Sequence, residues 1–273
     1  MTATQPAFRD WCLGHSGCSG GDVGSPGRPA IWVCGIEPGG VHSVTPQALA
    51  AKVRAEDMSK PLPGYADWRR NLAHSFTRRI VKLLTAVAGG AVADYRDFAE
   101  QQRPFTRGAS GYCRFNLYPV GFADTNPARW SADFARVTGF ASKADYLAWC
   151  DANRLPRLRG WAEACRPRLV VGLGKSYRDK FAMAFADPGT AFQEEWVGAK
   201  QLSWTRNAQG TVVAVLPFLT SPSGLQSDAV LQAFGARLRA VLVPQAGSSA
   251  HGPLRHAGRA RRASPQTAGA RGA

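Results

Sequence analysis

Apolar residues follow two patterns along this chain: short continuous runs, and longer stretches in which they recur at helical spacing. Short apolar runs bounded by turn residues are typical of strands buried on both faces. We predict strands over 30–36, 112–118, 168–174 and 211–216. A further strand over 201–206 should form a hairpin with the last of these, across a turn at 207–210.

The stretches between the strands predict helices. These helices are expected over 46–57, 66–88, 92–101, 142–153, 157–165, 175–186 and 226–241. Gly89 and Gly90 are expected to end the second of them. Because helical stretches separate three of the strands, the prediction is an α/β fold of three layers, α/β/α, with a short, mostly parallel, four-stranded central sheet.

Composition changes sharply at both ends of the chain. Residues 1–29 are rich in Gly, Ser and Pro and predict a mostly irregular, Gly-rich arm, followed by the α/β domain over 30–243. Residues 244–273 contain almost no large apolar side chain and predict a basic, disordered tail that adds nonspecific DNA affinity. No apolar run approaches the ~20 residues that span a bilayer, and residues 1–10 lack a signal-peptide pattern. A cytoplasmic monomer without a membrane partner is therefore expected.

The formal net charge of +15 narrows the class of partner. Such an excess favours a polyanion such as DNA or RNA, although genomic base bias would also raise the arginine content. The six cysteines should be reduced in the cytoplasm, and Cys34 and Cys113 lie in apolar runs that predict core positions. Cys12, His15 and Cys18 do not have the spacing of a standard zinc site. No metal or other cofactor is expected, with bound metal at these three residues as the alternative.

Two loops carry the candidate chemistry. The segment Gly35-Ile36-Glu37-Pro38-Gly39 follows the first predicted strand, and Ser221-Pro222-Ser223-Gly224-Leu225 follows the last. In an open α/β sheet, ligands bind beyond the carboxyl ends of the strands. The two loops are therefore expected to face each other across one cleft.

Four segments together resemble the uracil-DNA glycosylase superfamily. The first loop resembles its Gly-x-x-Pro motif, and the second resembles its (His/Asn)-Pro-Ser motif, continued by Gly-Leu as in the mismatch-specific branch. Asn116, on its strand between Phe115 and Leu117, resembles the family's strand-borne asparagine, and 167–175 resembles its Pro-x-(apolar run)-x-Gly strand. The resemblance covers roughly residues 30–240.

This resemblance implies a monofunctional DNA glycosylase, which flips a base out of DNA and hydrolyses its N-glycosidic bond, leaving an abasic site. Glu37 would stabilise charge or orient water, and Asn116 would contact the base edge. The other residues it assigns to the base pocket are Gly35, Ile36, Pro38, Gly39, Phe76 and Ser221. Those it assigns to DNA are Ser223 and the amides of Gly224 and Leu225, with Leu225 also as an apolar wedge. Lys175, after the third strand, and His42, just past the first loop, are further candidate DNA contacts, with a plain surface residue as the alternative for His42.

Each of these assignments has a structural alternative. Glu37 could cap the following helix, and Asn116 could be a buried asparagine that satisfies backbone groups. Leu225 could be a core residue. The aromatic lid assigned to Phe76, with Trp68 and Tyr118 as weaker candidates, could equally belong to the core.

One departure from the family pattern bears on the substrate. Ser221 stands where the family has His or Asn, which predicts weaker oxyanion stabilisation and a wider pocket. A modified base, such as hydroxymethylated or glucosylated cytosine, is then as plausible as uracil, in repair or in defence against phage. The alternatives are a non-catalytic member that binds damaged or abasic DNA, and a nucleotide hydrolase or transferase. The net charge and the lack of a nucleophile-elbow or phosphate-loop motif argue against the latter.

Overall fold

The computed structural model describes residues 6–39, 44–59, 64–122 and 126–243. Its α-helices are α1 (Pro6–Leu13), α2 (Pro46–Ala55), α3 (Trp68–Ala73), α4 (Ser75–Ala88), α5 (Tyr95–Gln102), α6 (Ala132–Thr138), α7 (Lys143–Cys165), α8 (Arg178–Phe185) and α9 (Asp228–Leu242). Its strands are β1 (Gly20–Gly21), β2 (Gly24–Ser25), β3 (Arg28–Pro29), β4 (Ile31–Gly35), β5 (Tyr112–Asn116), β6 (Leu169–Leu173), β7 (Gln193–Val197), β8 (Lys200–Arg206) and β9 (Val212–Leu216). The compact unit that contains them ends at Val243.

The central sheet has the strand order β1-β5-β4-β6-β9-β8-β7. Its middle strands β5, β4, β6 and β9 are parallel, whereas β1, β8 and β7 add antiparallel strands at the edges. The mostly parallel α/β/α fold and the β8–β9 hairpin are thus confirmed, but the sheet has seven strands rather than four. Two edge strands lack the apolar signal: β1 is two glycines, and β7 has the sequence QEEWV.

Alternation along the parallel strands builds the two cores. On β4, Trp32 and Cys34 point into one core, and Ile31 and Val33 point into the other. The first core includes buried residues of α1, α2, α6, α7 and α8, and the second includes those of α4 and α9. Because both faces of these strands are covered, their residues read as continuous apolar runs.

Two helix predictions differ from the structure. The predicted helix over 66–88 is interrupted at His74, whose backbone is extended (φ −75°, ψ 120°), so that α4 begins at Ser75. In contrast, the predicted break between 153 and 157 does not occur, and α7 continues through Pro156. The buried residues Arg154, Leu155 and Leu158 hold the helix on both sides of this proline, so packing outweighs the lost backbone hydrogen bond.

The N-terminal segment is not the mostly irregular arm that its composition predicts. Phe8 and Trp11 of α1 are buried, and β1 extends the central sheet by pairing with β5. Arg154, itself buried, donates hydrogen bonds of 2.7 Å to the carbonyl oxygens of Ser16 and Leu117. These bonds fix the N-terminal segment against the carboxyl end of β5.

The predicted tail over 244–273 lies outside the described residues. Within the described part of the chain, no helix combines the length and apolar character needed to cross a membrane.

Candidate functional site

A cleft of about 850 Å³ lies at the carboxyl ends of β4 and β5. Its walls include the loop after β4, the first turn of α4, the end of β5 and the loop after β9. Seven predicted site residues line it: Gly35, Ile36, Glu37, Pro38, Gly39, Phe76 and Asn116. The structure therefore brings the first loop, the strand-borne asparagine and one aromatic ring together in a single cavity.

Glu37 forms an ion pair with Lys143, the first residue of α7. Lys143 Nζ lies 3.2 Å from each carboxylate oxygen. The side chains are only 4% (Lys143) and 9% (Glu37) exposed, so both charges are largely removed from water. Lys143 Nζ also lies 4.2 Å from the ring centroid of Phe122. The helix-capping alternative for Glu37 is wrong, because the Thr45 side chain caps α2 by accepting from the Ala48 N–H.

A second set of charged and phenolic groups lies near Glu37. Burial raises the pKa of Tyr177, and the negative charges of Glu37 and Asp151 raise it further. Asp151 accepts hydrogen bonds from the Tyr118 hydroxyl at 2.8 Å and from Lys180 Nζ at 2.7 Å. Burial and this bond to Asp151 raise the pKa of Tyr118 far above its usual range. Both phenols are therefore neutral donors at physiological pH.

Asn116 lines the cleft but also bonds to the backbone. Its Nδ2 donates to the carbonyl oxygen of Gly17 at 3.1 Å. Its Oδ1 packs against Gly35, where an added Cβ would lie 2.4 Å from that oxygen. The bond to Gly17 thus fits the structural alternative for Asn116, in which a buried asparagine satisfies backbone groups. The first loop needs glycine at position 35 to leave room for this amide.

An aromatic and cationic wall faces the amide. Phe76 stacks on Phe218 with centroids 5.3 Å apart and an interplanar angle of 28°. Arg114 lies over the Phe76 ring at 5.1 Å and donates to the Thr77 hydroxyl at 3.0 Å. Burial lowers the pKa of Arg114 from its usual value, yet a guanidinium keeps its charge at neutral pH.

The weaker candidates for the aromatic lid lie elsewhere. Tyr118 is buried and bonded to Asp151, and Trp68 packs in a small cluster beside α4. Phe76 is therefore the one candidate of the three that the structure places in the cleft.

The second loop presents different residues from those predicted. Phe218 and Thr220 line the cleft, whereas Ser221 does not. Leu225 is fully buried in the core formed with α4 and α9, so its assignment as an exposed wedge is wrong. Its N–H donates to the carbonyl oxygen of Phe218 at 3.1 Å.

Two backbone amides of the same loop already have hydrogen-bond partners. The N–H of Gly224 donates to the Ser221 carbonyl oxygen at 2.8 Å, so the predicted phosphate-binding amides of Gly224 and Leu225 are both engaged within the loop. Ser223 itself is exposed, and its carbonyl accepts from Lys200 Nζ at 2.7 Å. Of the predicted group, the Ser223 hydroxyl is what remains available.

A further predicted DNA contact, Lys175, does not line the cleft. Lys175 is exposed in a short 3-10 turn after β6. The preceding residue, Gly174, packs against Ile36 of the first loop. His42 lies outside the described residues.

Sequence reasoning missed Lys143, Arg114 and Thr220. Arg114 could have been found, because residues two apart on a strand share a face, and Asn116 is on that face. Lys143 carries no such signal, since its pairing with Glu37 depends on how α7 packs across 106 residues of sequence.

The cysteine and histidine residues of the N-terminal segment have other contacts. The His15 ring stacks on Trp161 at 4.5 Å, and its Nδ1 lies 2.9 Å from the Met58 carbonyl oxygen. Burial, followed by a hydrogen bond with Cys150, raises the pKa of Cys12 well above its usual value.

Cys34 and Cys113 are buried, which confirms their prediction as core residues. Among described residues, no three His, Cys, Asp or Glu side chains cluster as metal ligands would.

No model of a known protein family matches this chain. A search of curated proteins likewise finds no match.

Proposed function

We propose that this protein is a monofunctional DNA glycosylase of the uracil-DNA glycosylase type, which hydrolyses the N-glycosidic bond of an extruded base. The observation that carries the proposal is the cleft itself, where a carboxylate (Glu37), an amide (Asn116) and an aromatic ring (Phe76) share one cavity at the strand ends. Base excision needs these three elements, for charge or water, for base recognition and for stacking. The resemblance of the sequence motifs supports the same function.

Charge and volume are consistent with this function. A net charge of +15 favours a polyanionic partner, and DNA is the polyanion that the motifs indicate. The cleft volume of about 850 Å³ is near the upper end of the range for small-molecule sites and exceeds the needs of one pyrimidine ring. We therefore favour a modified base over plain uracil as the substrate. The protein would act in the cytoplasm, in repair or in phage defence.

In this proposal the residues of the cleft have distinct tasks. Glu37, held in place by Lys143, stabilises positive charge on the sugar or orients the attacking water. The amide of Asn116 contacts the base edge with the hydrogen-bonding capacity that Gly17 leaves unused. Phe76, supported by Phe218, stacks on the base.

The test is a base-release assay on labelled single- and double-stranded DNA. The substrates carry uracil, a G·T mismatch, hydroxymethylcytosine or glucosylated hydroxymethylcytosine, and alkali cleaves the abasic sites. We expect one substrate class to be cleaved, and Glu37→Gln to slow release by roughly 10²–10⁴-fold.

The matched control is Glu100→Gln, which removes an exposed carboxylate that is also paired with a cation, Arg69, away from the cleft. It should release base at the wild-type rate. Equal loss in both variants, or wild-type release by a folded Glu37→Gln variant, would overturn the role of Glu37.

A second function, DNA binding without catalysis, is favoured by one specific observation. Both carboxylate oxygens of Glu37 contact Lys143, and the amide of Asn116 already bonds to Gly17. A site whose carboxylate is held in an ion pair and whose amide is partly engaged can bind DNA without reacting. Tight, salt-sensitive DNA binding with no release from any of the substrates would establish this function in place of the first.

A further inference from the structure

We propose that Arg114 and the first turn of α4 form an oxyanion subsite within the cleft, which binds a phosphate group of a nucleotide. The inference deepens the proposed function and rests on it for the identity of the ligand as a nucleotide. It assigns a binding role to residues that lie outside the sequence motifs.

The position of Arg114 is the first support. It lies on β5 two residues before Asn116, so both side chains leave the same face of the strand, about 6.6 Å apart along it. Both line the cleft. A ligand that reaches the amide at one end therefore has a guanidinium within the span of one nucleotide.

The bonding of Arg114 is the second support. Its described hydrogen bond to a side chain is the one to the Thr77 hydroxyl, and a guanidinium has five N–H donors. No carboxylate of the described residues lies within ion-pair distance of it. The two acidic side chains of the described cleft lining have other partners: Glu37 pairs with Lys143, and Glu56 accepts from Trp11 Nε1 at 2.9 Å. Arg114 is thus a cation that lines the cleft and has further N–H donors available for a ligand.

The third support is the helix beside it. Ser75, Phe76 and Thr77 begin α4, a helix of 14 residues, and all three line the cleft. The first N–H groups of a helix have no partner within it. The positive end of the helix and the guanidinium therefore act on the same volume, and their charges favour an anion there. Phosphate oxygens suit both, since arginine binds them in bidentate geometry.

The test measures binding and does not depend on base release. The affinity of a short fluorescein-labelled single-stranded oligonucleotide is determined by anisotropy at several salt concentrations, for the wild type and for Arg114→Gln. We expect the Kd to rise about tenfold, as for the loss of a hydrogen bond to a charged group. The slope of log K against log salt should fall by about 0.7, which corresponds to one phosphate contact on a single strand.

The matched control is Arg96→Gln. Arg96 is exposed on α5 and lies over the Tyr95 ring at 5.5 Å, much as Arg114 lies over Phe76, but it does not line the cleft. The Arg96→Gln substitution removes the same charge as Arg114→Gln, and we expect it to change the Kd by less than about twofold. Equal weakening by both variants, or no change with Arg114→Gln, would overturn the subsite.

A second variant addresses the possibility that Arg114→Gln disturbs the fold. Ser75→Glu places a carboxylate at the exposed start of α4, where it stabilises the helix but repels an anion. We expect unchanged or raised thermal stability together with weaker oligonucleotide binding. Undiminished binding by this folded variant would contradict the proposal.

Calorimetric titrations with deoxyuridine monophosphate and deoxyuridine identify the source of the phosphate. An Arg114-dependent preference for the monophosphate assigns the subsite to a phosphate monoester, and an effect confined to the oligonucleotide assigns it to the DNA backbone. If binding depends on Arg114 but no DNA releases a base, the subsite is supported and the proposed function is contradicted. If a base is released but binding does not depend on Arg114, the proposed function is supported and the subsite is contradicted.

Discussion

The two loops that follow β4 and β9 have similar composition, yet they contribute to the cleft in different ways. All five residues of the first loop, over 35–39, line the cavity. In the second loop, over 217–225, only Phe218 and Thr220 do so, and the residues of the Ser-Pro-Ser-Gly-Leu motif lie elsewhere. A motif can therefore mark the right loop without marking the residues that face the ligand.

The difference lies in how each loop satisfies its own groups. The second loop closes on itself through backbone bonds from Gly224 to Ser221 and from Leu225 to Phe218, and it anchors on a buried leucine. The first loop is also held by backbone bonds, from Leu117 and Tyr118 to the carbonyl oxygens of Gly35 and Ile36, but it adds a buried ion pair between Glu37 and Lys143. This buried ion pair is what distinguishes the anchoring of the first loop from that of the second.

The largest expected effect comes from breaking the anchor of the first loop. Lys143→Met keeps an unbranched side chain, one atom shorter, but leaves the Glu37 carboxylate buried, at 9% exposure, without the Lys143 cation. Removing one partner of a buried ion pair costs about 3–5 kcal/mol. We expect the free energy of unfolding, measured by denaturant titration, to fall by that amount.

The double variant Glu37→Gln with Lys143→Met provides the control for this prediction. It removes both charges, so it should be more stable than Lys143→Met alone. A loss below about 1 kcal/mol for Lys143→Met would instead show a pair that behaves as if exposed to water.

The anchor of the second loop gives the next largest effect. Leu225 is fully buried, so Leu225→Ala should lower the free energy of unfolding by about 2–5 kcal/mol. Val243→Ala, at a residue that is 61% exposed, should change it by less than about 0.5 kcal/mol. A loss below about 0.5 kcal/mol for Leu225→Ala would contradict the role of this leucine as the anchor of the loop.

The sequence predicted the central part of the fold well because that part is governed by local patterns. Buried parallel strands are continuous apolar runs, and β4, β6 and β9 were each located to within one residue of their observed ends. Gly89 ends α4 in a left-handed conformation (φ 97°), as expected of a glycine stop. The edge strands β1 and β7 were not predicted, because they are held by pairing with neighbouring strands and their sequences lack an apolar strand pattern.

The site was predicted where it depends on strand ends and missed where it depends on packing between distant segments. Glu37, Asn116 and Phe76 were assigned through the resemblance of the motifs to the uracil-DNA glycosylase superfamily, and the structure places them together. The partner of Glu37 comes from α7, and Gly17 reaches Asn116 because Arg154 fixes the N-terminal segment. No local pattern in 1–29 predicts that contact.

The smallest expected effect concerns the part of the second loop that remains exposed. Ser223→Ala removes a hydroxyl at a surface position, while the carbonyl that accepts from Lys200 is untouched. Because the amides of Gly224 and Leu225 bond within the loop, the hydroxyl is what remains of the predicted phosphate-binding groups of this motif. We expect the free energy of unfolding to change by less than about 0.5 kcal/mol and the Kd for single-stranded DNA by less than about twofold. The Kd at fixed salt is the decisive measurement: a rise of about tenfold would show that the hydroxyl donates a hydrogen bond to a phosphate after all. In that case both loops would contact DNA, and the two loops would differ only in their contacts with the extruded base.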